Sequence, residues 1–271
     1  MTSETLKLPL GTIAYDDSGG SGPLVVTLPG AGDIRGEYRF LTPRLAETGA
    51  RVVTAELRGH GDSSADWPSY GIAETAADLV ALLEHLDAGP ATVVGTSFSP
   101  TAALWAAADH PDLINRLVLI SAHLHDAPAW QTALLDLMLR GPLAGRIWAG
   151  QYRKWHPGNP PEDLTAYAGR LADMMKDPDR RSAVRKTLVA PRDGLDGHVD
   201  RVDVPTLVIM GGADSHFNDP QAEGEQIAAR TNGSLLVIPD AGHYPHAEYP
   251  EHVATAINEF IAGRTELGTS P

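Results

Sequence analysis

Apolar residues come along this chain in short unbroken runs. Leu24–Leu28, Arg51–Ala55, Ala91–Gly95, Leu117–Ser121, Thr206–Met210 and Leu235–Ile238 are each four to six residues long, rich in Val, Leu and Ile, and bounded by Gly, Pro or Asp. A strand with one wet face alternates apolar and polar positions. A run that is apolar nearly throughout suits a strand buried on both faces, as in a parallel sheet. Between the runs the period changes. Ile72, Ala76, Leu79, Leu83 and Leu86 fall on one stripe of a helix predicted over 72–86. Another helix starts at Pro250, carries Val253, Ile257, Phe260 and Ile261 at helical spacing, and meets Gly263 after its last turn. This alternation predicts an α/β fold, a mostly parallel central sheet flanked by helices. Thr5–Leu8 and Thr12–Asp16, joined around Pro9–Gly11, predict an antiparallel hairpin at the sheet edge.

The rhythm breaks between Ala122 and Arg201. No strand run occurs there, helical stripes such as Leu164, Tyr167, Ala168, Leu171, Met174 and Met175 follow one another, and prolines punctuate the segment. Charge changes with it. Residues 126–200 hold 11 Lys/Arg and 10 Asp/Glu, leaving 10 Lys/Arg against 25 Asp/Glu outside. An ordinary pair of crossover helices is too short to use so long a segment. The expected organisation is a core of residues 1–121 and 202–271, with a helical cap of residues 122–201 inserted after the sixth strand.

Composition narrows the function classes. The 271 residues include no cysteine, which excludes disulfides, thiolate metal sites and cysteine nucleophiles. The net charge of −14 argues against nucleic acid or an anionic membrane surface as partner. The N-terminus has no basic, then apolar, signal pattern, and no apolar run reaches the roughly 18 residues of a membrane span. The expectation is a cytoplasmic protein acting on a small molecule, its oligomeric state open and its polar end, 264–271, frayed.

The sharpest chemical signal is Val93-Val94-Gly95-Thr96-Ser97-Phe98-Ser99, where a strand ends and a helix (Pro100–His110) begins. In a nucleophile elbow the turn is so tight that the residues two before and two after the nucleophile must be small. Gly95 and Ser99 are small, and Ser97 would present its hydroxyl at the carboxyl end of a strand, where open α/β sheets bind ligands. Ser as a helix cap is the plainer reading of the same residue. A serine hydroxyl attacks only if a base takes its proton. Asp240-Ala-Gly-His243 follows a strand and precedes the last helix, placing His243 on a loop at the same face, whereas His246 reads as a packing residue. The imidazole needs an orienting carboxylate. Asp214 in Gly211-Gly-Ala-Asp214 follows the strand Thr206–Met210; Asp126 is the alternative acid, and Asp219 and Asp240 are weaker ones.

The order Ser97, Asp214, His243 resembles the α/β-hydrolase fold family, and the resemblance covers nearly the whole chain. Supporting segments are Leu28-Pro-Gly-Ala-Gly32 and Leu57-Arg-Gly-His-Gly-Asp-Ser63, the second similar to a structural loop of family members with a helical cap. The resemblance implies an oxyanion hole made by the N–H of Phe98 and the N–H of Ala31, with Gly30 the alternative. It departs from the pattern at Ser99, where Gly is usual, and at Pro29, where His is frequent. It implies a serine hydrolase that needs no cofactor and cleaves a small to medium, largely apolar carboxylic ester or lactone through an acyl-enzyme. A C–C bond hydrolase or perhydrolase with the same triad, and a non-catalytic ligand-binding relative, are the alternatives. Trp130, Met138, Trp148 and Trp155 of the cap are candidate substrate contacts. His123-Leu-His125 lacks further clustered ligands in the sequence, so no metal is expected. Arg180, Arg181, Arg185 and Lys186 read as a solvated helix face.

Overall fold

The computed structural model describes residues 1–264; residues 265–271, on which most of the expected frayed tail falls, lie outside the described residues. Eight strands form one sheet in the order β1-β2-β4-β3-β5-β6-β7-β8. They are β1 Thr2–Leu8, β2 Gly11–Asp17, β3 Leu24–Leu28, β4 Arg51–Ala55, β5 Ala91–Thr96, β6 Ile114–Ile120, β7 Thr206–Gly211 and β8 Ser234–Ile238. The β1–β2 pair is the expected hairpin, longer than its apolar pattern suggested, and β2 runs antiparallel to β4. All pairs from β4 to β8 are parallel. The apolar runs mark this parallel part because β3, β5 and β7 are buried at every position. Burial of each Val, Leu or Ile side chain there contributes about 1.5–3 kcal/mol.

Helices cover both faces. On one, α2 (Ile72–Leu86), α3 (Ser99–Asp109) and α9 (Pro220–Arg230) pack with Val26, Val93, Leu117 and Val208. On the other, α1 (Leu41–Glu47) and α11 (Pro250–Ile261) pack with Val25, Val94, Val118 and Ile209. α2 spans the predicted 72–86 and ends where Asp87 adopts a left-handed φ of 42°. The Asp219 side chain accepts from Ala222 N to start α9, with Pro220 in its first turn.

Between β6 and β7 lie only helices: α4 Ala129–Met138, α5 Ala144–Lys154, α6 Leu164–Met174, α7 Pro178–Leu188 and α8 Leu195–Val199. Trp148, Tyr152, Trp155, Tyr167 and Leu171 of this insert form a third apolar cluster, which continues into Tyr244 and Ala247 after β8. The basic cluster of α7 is more than a solvated face: Arg180 donates to the Ser63 carbonyl (2.9 Å) and Arg185 pairs with Asp136 (2.8 Å). α10 (Pro245–Glu248) joins this cluster to α11. Among the described residues no helix is long and apolar enough to cross a membrane.

Candidate active site

β5 ends at Thr96 and α3 starts at Ser99, so Ser97 and Phe98 make the whole turn. Ser97 holds φ at 61°, a left-handed conformation that costs a non-glycine residue about 1–3 kcal/mol and persists only where neighbours fix it. Its N–H donates to the Ile120 carbonyl (2.9 Å), and its own carbonyl accepts from His123 N (3.2 Å). A Cβ at Gly95 would sit 2.8 Å from Pro100 N, so only glycine fits two residues before the serine. Two residues after it, Ser99 uses its hydroxyl to donate to the buried Pro29 carbonyl.

Asp214 follows the end of β7, and His243 stands on the loop between the neighbouring β8 and α10. His243 N donates to the Trp155 carbonyl (3.0 Å) of the insert. A Cβ at Gly242 would lie 2.3 Å from that same carbonyl oxygen, which explains the glycine before this histidine. Glu248 ties the loop down: it accepts from Gly242 N (2.6 Å), Gly158 N (2.8 Å) and Asn159 N (3.0 Å). His243 Nδ1 donates to Asp214 Oδ2 at 2.7 Å, and Nε2 has no hydrogen bond among the described residues. The other carboxylate oxygen of Asp214 accepts from His216, both backbone N (3.0 Å) and Nδ1 (2.9 Å). Burial pushes the Asp214 pKa up, but the His243 charge and the hydrogen bonds from His216 and His243 outweigh it and hold the carboxyl well below its usual range. The His123 ring lies 5.6 Å from that of His243 and 5.4 Å from that of His216. Burial, followed by the neighbouring imidazoles, holds His123 well below the ordinary histidine pKa. Ser97 and His243 thus flank one residue, His123. The Ser97 hydroxyl has no hydrogen-bond partner among the described residues, His243 included.

The loop after β3 is held from both sides. Glu37 Oε2 accepts from Gly30 N (2.8 Å), and His60 Nε2 accepts from Gly32 N (3.0 Å). His60 Nδ1 donates to the Arg58 carbonyl (2.9 Å), so the ring is neutral, its pKa pushed down to about 4 by burial. His60 is therefore a brace, as the sequence suggested for its loop. The N–H groups of Ala31 and Phe98 have no acceptor among the described residues. Since Gly30 N is taken, Ala31 rather than Gly30 is the spare donor. Behind the loop lie buried carboxyls: Asp33 is pushed up to about 8 by burial and by Glu37, and Glu37 up to about 7 by burial. Tyr167 donates to Asp33 Oδ1 (2.5 Å). His246, buried and stacked on Tyr38, has Nε2 3.1 Å from Glu37 Oε1, so it packs behind the loop and not beside His243.

The four insert candidates divide. Trp155 meets His216 (4.5 Å between rings) and His243 (5.9 Å), and Trp148 donates from its indole to the Gly32 carbonyl (3.0 Å). Trp130 and Met138 lie on α4, exposed by 67% and 41%. Asp126, the alternative acid, is held by Arg192 instead. An open groove of about 330 Å³ runs beside His216, along Phe217, Asn218, Asp219, Ala222, Glu223 and Gln226. Sequence reasoning missed His216, Glu37 and Asp33. The first stands two residues after Asp214, a spacing that could have drawn notice; nothing in the sequence marks the other two as buried.

A family model described as alpha/beta hydrolase fold matches residues 23–146. The pimeloyl-[acyl-carrier protein] methyl ester esterase of Neisseria meningitidis serogroup A is 30% identical over 91% of this chain and 81% of that protein. The sn-1-specific diacylglycerol lipase of Mus musculus is 26% identical over 89% of this chain and 81% of that protein. Among solved structures, a bromoperoxidase from Bacillus anthracis superposes with a TM-score of 0.84, covering 96% of this chain and 100% of that one at 20% identity.

Proposed function

The chain belongs to the α/β-hydrolase fold family, and from that premise we propose that it is a serine hydrolase of small to medium, largely apolar carboxylic esters or lactones. What carries the reading is the His243–Asp214 bond of 2.7 Å beside an elbow that strains Ser97 to φ 61°. The ester-cleaving activity of two relatives, as their names state it, supports the bond type.

In this mechanism Ser97 Oγ attacks the ester carbonyl carbon while His243 Nε2 takes the hydroxyl proton. Asp214 fixes the tautomer with Nε2 unprotonated and stabilises the imidazolium that forms. The carbonyl electron pair moves onto oxygen, and the negative charge is met by the spare N–H groups of Ala31 and Phe98. When the tetrahedral intermediate collapses, the C–O bond breaks and His243 protonates the departing alkoxide. Water then attacks the acyl-Ser97 carbonyl, loses its proton to His243, and releases the acid. In unliganded sites such hydrogen bonds are often open and close on the substrate, which accounts for an unpartnered Ser97 hydroxyl. The insert 122–201 serves as a cap: Trp148 and Trp155 supply apolar wall near the reacting atoms, and Trp130 and Met138 face the incoming chain from α4.

The test uses p-nitrophenyl esters of graded acyl length and a fluorophosphonate probe. Ser97→Ala is expected to lower kcat by about 10⁴-fold or more, and the probe to label Ser97. Equal hydrolysis by both proteins, or a label elsewhere, overturns the reading. Peracid formation from peroxide and a carboxylic acid, faster than ester hydrolysis, would instead select the perhydrolase alternative.

A further inference from the structure

The sequence set aside His123 as a metal ligand because it had no clustered partners. The fold supplies two. One ring nitrogen each of His123, His216 and His243 lies within 4.8 Å of the others. His216 and His243 both give Nδ1 to the same carboxylate, that of Asp214, and their rings lie 3.9 Å apart at an angle of 36°. Neither ring's opposite nitrogen, Nε2, has a hydrogen bond among the described residues. A histidine that donates one ring nitrogen to a carboxylate is the arrangement that orients zinc ligands and strengthens them as donors. Neither ring nitrogen of His123 hydrogen-bonds among the described residues; its ring is stacked on Phe217 at 4.3 Å. His125, the other histidine of the sequence pair, is exposed.

We propose that His123, His216 and His243 form an inhibitory site for a borderline-soft divalent transition ion, Zn²⁺ foremost, which silences the enzyme by occupying His243 Nε2. Three imidazoles suit Zn²⁺ and Cu²⁺ and disfavour Mg²⁺ and Ca²⁺, which require oxygen ligands. Tetrahedral zinc with Zn–N of about 2.0–2.1 Å brings its nitrogens to about 3.4 Å from one another. Partly exposed His216 supplies the adjustment by turning its ring, and the open groove beside it gives the ion a path in. The step is ligand exchange only: a zinc-bound water leaves and the lone pair of Nε2 takes its place. That lone pair is the one that accepts the Ser97 proton, so bound ion and active base exclude each other. Inhibition rests on the function proposed above; binding does not.

The experiment therefore reads binding and activity separately. Zn²⁺ binding is measured by calorimetry, with Mg²⁺ as control, on the wild-type chain and on Ser97→Ala, His123→Phe, His216→Phe and His216→Asn. Ester hydrolysis is titrated with Zn²⁺ in parallel. One ion per chain is expected, with activity lost as the site fills and restored by a chelator. Ser97→Ala binds as the wild type does, while each histidine substitution weakens binding by about tenfold or more. The two His216 variants keep the test sound if one of them misfolds, which circular dichroism reports. Absence of saturable one-to-one binding, or wild-type affinity in folded His123 and His216 variants, overturns the site. Binding that fills without loss of hydrolysis overturns the inhibitory role. A chain that binds Zn²⁺ through these histidines but cleaves no ester keeps the site and refutes the function.

Discussion

Ser99 connects two parts of the candidate site that are far apart in sequence. Its buried hydroxyl donates to the carbonyl of Pro29, two residues before the spare N–H of Ala31. Ser99→Ala leaves that carbonyl buried and unpaired, a loss of about 1–3 kcal/mol. The loop then keeps the Glu37 and His60 contacts at the Gly30 and Gly32 N–H groups and the Trp148 contact at the Gly32 carbonyl. We expect Tm to fall by several degrees and kcat to fall with KM little changed, because in the proposed mechanism the donor on this loop acts on charge that develops only in the transition state. Thermal unfolding and steady-state ester kinetics check this; a lowered Tm with unchanged kcat would separate Ser99 from the proposed oxyanion hole. At this scale, legibility follows locality. The candidates Ser97 and His243 stand out in the sequence because each sits in a short segment whose glycine is dictated by close packing, at Gly95 and Gly242. His216 and Glu37 do not, because their roles arise only when β7, β8 and the loop after β3 come together.

Among elements, the strands were legible because continuous apolar runs correspond to burial on both faces of one sheet. The run of helices between β6 and β7 was legible only by contrast, as a stretch without such runs. Within it an apolar stripe does not say whether a helix finds a partner. α5 buries Trp148 and Tyr152, whereas α4 buries none of its residues and leaves Trp130, Leu134, Leu137 and Met138 exposed. A ten-residue helix is marginal in water without packing. The ion pairs of Asp136 with Arg140 and Arg185 are partly exposed and add little. α4 therefore belongs to the least stable part of the described chain, and it borders the proposed substrate entrance. Brief trypsin treatment is expected to cut first after Arg140, before Arg51 of β4 or Arg116 of β6, and an excess of an acyl-chain inhibitor to slow that cut. First cleavage after Arg51 or Arg116, or an unaltered rate with inhibitor, would contradict this placement.

For the whole molecule, the buried titratable groups set how stability varies with pH, and they act in opposite directions. His60 and His156 are pushed down to about 4, and His246 to about 3, chiefly by burial. The folded chain keeps them neutral while the unfolded chain takes up protons below its histidine pKa of 6.5, so their contribution is lost as pH falls from there toward 4. Asp33 and Glu37 are raised, to about 8 and about 7. Their contribution is complete below the unfolded carboxyl range, near 4, and is lost as pH rises toward 8, because the unfolded chain has already released protons the folded chain still holds. Between about 6.5 and 8 the histidines no longer change, and the carboxyls alone tilt the curve downward. Asp33→Asn keeps an acceptor for Tyr167 but cannot ionise. Relative to the wild type it should gain about 1–2 kcal/mol between pH 6.5 and 8, visible as two Tm curves that diverge on the alkaline side. Parallel curves over that range would mean that Asp33 is already ionised in the folded chain, and that the network behind the Ala31 loop carries a fixed negative charge instead of a proton.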